Sequence, residues 1–131
     1  MRTAERSGTT VFVVDDEEMI ATSLVHILRK EGFTVTAFTN PLKALRQIRL
    51  TAPDVLISDV MMPELSGLDL ARATQRHAPD CRVLLFSAAA DELLREAGEA
   101  GVGFRLVSKP LHPDALLDEI AALNATSAAG C

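Results

Sequence analysis

Short unbroken apolar runs alternate along the chain with stretches in which apolar residues return every three or four positions. Five runs are of strand length: Thr10 to Val14, Thr34 to Phe38, Asp54 to Asp59, Arg82 to Ser87 and Gly103 to Ser108. The stretches between them read as helices. The first carries Ile20, Leu24, Ile27 and Leu28, with Glu17 and Glu18 at its positive end and Gly32 as its stop. The second starts at Pro41 and places Leu42, Leu45 and Ile48 on one face, ending before Pro53. The third follows Gly67 with Leu68 and Ala71 and gives out around His77-Ala78-Pro79. A fourth, Ala90 to Ala100, is interrupted by Gly98 and is expected to be the least stable element. The last begins near Pro113 and carries Leu116, Ile120 and Leu123.

Strand and helix thus alternate five times, and the strands are apolar on both faces. That pattern predicts an α/β fold, a doubly wound, five-stranded parallel sheet of flavodoxin-like order 2-1-3-4-5. One domain is expected over residues 10–123, with loose tails at 1–9 and 124–131. In such sheets all strand C-termini share one edge, where ligands bind.

The polar residues at that edge are the informative ones. Asp15 and Asp16 end the first strand, Asp59 the third, Ser87 the fourth, and Lys109 follows the fifth. Taken alone, Asp59 reads as a helix-capping aspartate and Asp15 to Glu18 as solvated acids at a helix start. Together they are harder to dismiss, because a carboxylate buried at a strand end is costly unless a cation or donors answer it. Strands one and three lie about 4.8 Å apart, so Asp16 and Asp59 can converge on one point. Oxygen ligands without His or Cys suit a hard ion such as Mg²⁺. Lys109 and the Ser87 hydroxyl, opposite, suit an anion. Asp59 would then be placed to attack phosphorus and become an aspartyl phosphate.

Charge and composition sharpen this. The net charge is -5, from 13 basic and 18 acidic residues; without Asp15, Asp16, Glu17, Glu18 and Asp59 the chain holds 13 of each. An acidic chain with 4% aromatic content and no Trp or Tyr has little with which to bind nucleic acid. Cys81 and Cys131 are not a disulfide framework. No signal peptide or membrane span is evident, and a cytoplasmic location is expected.

Asp15-Asp16, Asp59, Met62-Pro63 with Gly67, Ser87-Ala88 and Lys109-Pro110, in that order, resemble the receiver domain of bacterial two-component response regulators over about residues 10 to 123. The resemblance implies that Asp59 accepts a phosphoryl group from a sensor histidine kinase or a histidine phosphotransfer protein. It implies Mg²⁺ held by Asp16, Asp59 and the backbone carbonyl of Met61, with Asp15 acting through water. It further implies that Ser87 and Lys109 contact the phosphoryl oxygens, that the Lys109-Pro110 peptide is cis, and that output runs through the face of the fourth helix, fifth strand and last helix. Leu106 departs from the family, which often carries an aromatic switch there; Phe104 lies two places earlier. Met61 and Ala89, where side chains commonly tune hydrolysis, are apolar, so access is expected to govern phosphoryl lifetime.

The resulting reading is a phosphorylation-controlled binding module, not an enzyme, with an unidentified output protein and a phosphorylation-dependent dimer among its possible assemblies. A receiver from a longer regulator with a DNA-binding or enzymatic domain, and a phosphorelay intermediate, stay open beside it. A Mg²⁺-dependent aspartyl-phosphate phosphatase would need a carboxylate where Met61 stands. A flavodoxin-like cofactor binder would need a phosphate loop where four acids stand. His26, His77 and His112 fall outside the edge cluster, Met19, Met61 and Met62 read as packing or loop residues, and Cys81 as buried filler.

Overall fold

The structure, a computed structural model, describes residues 8–87, 104–108 and 113–130. All five expected strands form: β1 (Thr10–Val14), β2 (Thr34–Phe38), β3 (Val55–Asp59), β4 (Arg82–Ser87) and β5 (Phe104–Ser108). They pair in parallel in the order β2-β1-β3-β4-β5. The helices are α1 (Glu18–Lys30), α2 (Pro41–Leu50), α3 (Gly67–His77) and a C-terminal helix (Pro113–Gly130). The helix expected at Ala90 to Ala100 lies outside the described residues, as do Ala89, Lys109, Pro110, His112, Cys131 and residues 1–7 of the N-terminal tail.

Successive strand residues feed two separate cores, as a sheet covered on both faces requires. Val11, Val13, Val55, Ile57, Leu84 and Phe86 meet α1 and the C-terminal helix on one side. Phe12, Val14, Leu56, Val83 and Leu85 meet α2 and α3 on the other. The edge strand β2 departs from the expectation of strands buried on both faces, since Val35 is its one buried residue.

The helices turn differently from the sequence expectation. On α1 the buried line is Ala21, Val25 and Leu28, with Leu24 and Ile27 half-buried beside it. On α2 it is Pro41, Ala44 and Ile48, and Leu42 faces outward at 44% exposure. On α3, Leu70, Ala71 and Thr74 are buried while Leu68 is only partly so. In each case an alanine sits at the contact, where a small side chain lets the helix approach the sheet closely, and a reading weighted to bulky residues rotates the face.

Helix ends follow the local chemistry. Gly32, at φ 97°, closes α1 with its N–H on the Arg29 carbonyl while the Phe33 N–H reaches Leu28. That is the Schellman arrangement, which favours glycine at the left-handed position. Asn40 caps α2 by accepting from the Leu42 and Lys43 N–H groups. The C-terminal helix runs on to Gly130, past the expected end near Leu123, because Ala121, Ala122, Ala125, Ala128 and Ala129 are the strongest helix formers.

Cys81 belongs to the α2 and α3 side of the core. Burial, with a smaller contribution from Asp54, pushes its thiol up to about 12. The thiolate is the reactive species, so Cys81 should escape iodoacetamide at mildly alkaline pH until the chain unfolds, as peptide mapping would read. Because the folded pKa lies above the unfolded one, this thiol favours the folded state less and less as pH rises from about 9 toward 12.

Candidate functional site

Three carboxylates gather where β1 and β3 end. Asp15 follows β1, and its N–H donates to the Phe38 carbonyl at 3.0 Å, extending the β1–β2 ladder by one residue. Its Oδ1 accepts from the Glu17 N–H at 2.9 Å, turning the chain into α1. Asp15 is therefore buried rather than solvated, while Asp16, Glu17 and Glu18 are exposed. Asp59 is the last residue of β3, opposite Phe86 of β4, and is 7% exposed.

One carboxylate oxygen from each of Asp15, Asp16 and Asp59 lies within 4.8 Å of the others. An octahedral shell at about 2.1 Å sets ligand oxygens roughly 3 to 4 Å apart, so a small adjustment would let the three share one ion. An all-oxygen, all-anionic donor set suits a hard divalent cation such as Mg²⁺. Like charges held this close repel, and such an ion would offset the repulsion.

The backbone behind Asp59 is tightly held. The Val60 N–H donates to the Phe86 carbonyl at 3.0 Å and the Val60 carbonyl accepts from the Gly67 N–H at 2.8 Å. The Ser58 hydroxyl donates to the Asp59 carbonyl at 2.8 Å. Gly67 packs directly on that peptide: a Cβ there would strike the Asp59 carbonyl oxygen and come within 2.8 Å of the Val60 Cα. Between them, the Leu65 N–H bonds to the Pro63 carbonyl at 2.8 Å around Glu64, whose φ is 70°. This is a γ-turn of the strained, positive-φ kind. The side-chain cap of α3 is Ser66, whose hydroxyl accepts from the Asp69 N–H. That role is thus filled without Asp59.

Ser87 ends β4, 2% exposed, in register with Ser108 of β5. Lys109 is the next residue in sequence after Ser108. The Met61 side chain stands 73% exposed in the loop after β3, whereas Met62 packs against the α2 and α3 core. Leu106, in register with Leu85, is half-buried against the same core. His26 and His77 are exposed and away from the carboxylates in sequence; His77 Nε2 lies 3.0 Å from the Arg49 carbonyl, linking α3 to α2. The sequence reading passed over Ser58 and the role of Gly67 as packing against Asp59. A lone hydroxyl in an otherwise apolar strand was the available signal for the first.

The response regulator receiver domain model matches residues 11–121, and the chain belongs to that family. It is 38% identical over 79% of its length to the transcriptional regulatory protein CreB of Escherichia coli (strain K12), covering 45% of it. It is 35% identical over 94% of its length to the probable transcriptional regulatory protein TcrX of Mycobacterium tuberculosis, covering 53%. The chain thus spans about half the length of these curated relatives. Among solved structures it resembles the Vibrio cholerae chemotaxis protein CheY4, with a TM-score of 0.79 and 25% identity over 88% of this chain and 98% of that one. The family is one of regulatory phosphoacceptor domains phosphorylated by histidine kinases, and membership disfavours the phosphatase reading. Among the described residues, no helix is long and apolar enough to cross a membrane.

Proposed function

We propose that Asp59 is the phosphoryl acceptor of a cytoplasmic signalling switch. One Asp59 oxygen attacks phosphorus, the bond from phosphorus to the donor histidine nitrogen breaks, and the phosphoryl group ends on the carboxylate. Asp15, Asp16, Asp59 and the Met61 carbonyl would hold Mg²⁺, which supplies charge compensation to the phosphoryl oxygens. Ser87 would donate a hydrogen bond to one phosphoryl oxygen and Lys109 a charge to another. The observation that carries this reading is the convergence of the three carboxylates on a buried Asp59 that no cap role explains.

Output would pass through protein contacts on the face containing β5 and the C-terminal helix, with a phosphorylation-dependent dimer as one form. Leu106, half-buried where the family often has an aromatic ring, would move little by comparison. A second reading, a receiver belonging to a longer DNA-binding regulator, is favoured by the half-length match to CreB and TcrX.

Incubation with acetyl phosphate and Mg²⁺, followed by intact mass measurement, tests the proposal. One added phosphoryl group is expected, and none when EDTA removes the ion; an unmodified chain in Mg²⁺ would overturn the reading. Lifetime offers a second measurement. Met61→Asn puts an amide beside the acceptor that can orient water, and is expected to speed loss of the phosphoryl group severalfold. An unchanged rate would show that Met61 does not govern lifetime.

A further inference from the structure

We propose that the outer face of α2 and α3 receives the acidic start of α1 from a second copy of this chain. The charge on the chain is strongly segregated. Lys43, Arg46, Arg49, Arg72 and Arg76 are all exposed on these two helices, which carry Asp69 as their one acid. The pair is therefore +4 within a chain of net -5, and everything else sums to -9.

Helix energetics do not account for the pattern. Cations in the last turn complement the helix dipole, which covers Arg49 and Arg76. Lys43 stands in the first turn of α2, where no acid is present and a cation is disfavoured. Arg72 is the only one of the five for which Asp69 provides an ion pair, at 3.6 Å between exposed groups. The two helices form one surface, their ends joined by the contact of His77 with the Arg49 carbonyl.

The same face of α2 carries exposed leucines. Leu42, Lys43, Arg46, Arg49 and Leu50 fall within one arc of the helix, and Leu50 is 74% exposed. Nucleic acid would use the cations but not the leucines, whereas an acidic protein surface with an apolar anchor uses both. This chain presents such a surface itself. Glu17 and Glu18 are exposed at the start of α1 and are followed by Met19, 84% exposed. Arginine gives the carboxylates bidentate partners, and Met19 can lie against Leu50. Copies at -5 repel as wholes, so the contact must be oriented and salt-sensitive. Its two faces are different patches, so the association is head-to-tail and does not close at a dimer.

Sedimentation velocity on the unphosphorylated chain and two charge-reversed variants tests this. The wild-type sedimentation coefficient should rise with concentration in about 50 mM NaCl and cease to rise in about 500 mM, where screening is within roughly 4 Å. Arg46→Glu with Arg49→Glu, and separately Glu17→Lys with Glu18→Lys, should each weaken self-association at least about tenfold. An equimolar mixture of the two variants should regain association, since the intact acidic start of one meets the intact basic face of the other, a gain that misfolding cannot produce. A wild type that stays monomeric at every concentration overturns the proposal and leaves the basic face to an acidic surface of another protein. Association unchanged by either double reversal, or a mixture that stays monomeric, overturns it equally.

Discussion

Asp59→Asn takes up no phosphoryl group from acetyl phosphate in Mg²⁺, while the wild type gains one; this is the largest effect expected of any single change. The asparagine amide matches the carboxylate in shape, so the ladder to β4 and the Ser58 contact to the residue 59 carbonyl have no reason to change. What is lost is the proposed nucleophile and one of three clustered charges. Mg²⁺ affinity should fall about tenfold or more, because ligand charge sets affinity in such sites. Stability without the ion should hold or rise, since neutralising one carboxylate relieves repulsion from the other two. Intact mass, a Mg²⁺ titration and a thermal melt read the three effects separately. Phosphorylation that persists at full level in this variant would remove Asp59 from the acceptor role.

Gly67→Ala is expected to cost about 3 kcal/mol of stability, toward the upper end for overpacking. The new Cβ meets the Asp59 carbonyl oxygen and the Val60 Cα, both backbone atoms fixed by the β3–β4 ladder and by the Gly67 N–H bond to Val60. A flexible side chain could swing away, but this peptide cannot without moving α3 or Asp59. Urea unfolding should show a lower midpoint at an unchanged slope. Phosphorylation by acetyl phosphate should slow as the Asp59 backbone shifts. Ser66→Ala, which removes the α3 cap and should cost about 1 kcal/mol, sets the scale. A Gly67→Ala loss no greater than that would mean the loop gives way and the close approach does not hold Asp59 in place.

These two residues also mark where sequence reading stopped. Asp59 stood out because a carboxylate is anomalous in an apolar run, yet the run by itself favoured a cap. The order of strand ends, which sets Asp15 and Asp16 beside Asp59 and Ser87 and Lys109 opposite, already weighs against the cap from the sequence; the structure adds the distance, within 4.8 Å, and Ser66 as the actual cap. Gly67 was visible as part of a motif, but its packing on the Asp59 peptide depends on how α3 meets the end of β3. The same limit explains the rotated helix faces. Periodicity weighs side-chain bulk, while Ala21, Ala44 and Ala71 are buried at 0–1% exposure because their smallness lets the helices approach the sheet.

The amino-acid sequence by itself determined the five strands, their parallel order, and the acids and hydroxyl placed at one sheet edge, because alternating strand and helix periods admit few topologies and local residues set strand ends. Tertiary structure alone decided which acids are buried, what caps α3, which helix faces meet the sheet and how closely Gly67 approaches Asp59. Those depend on contacts between residues far apart in the chain, and no local pattern encodes the distances at which packed backbones come to rest.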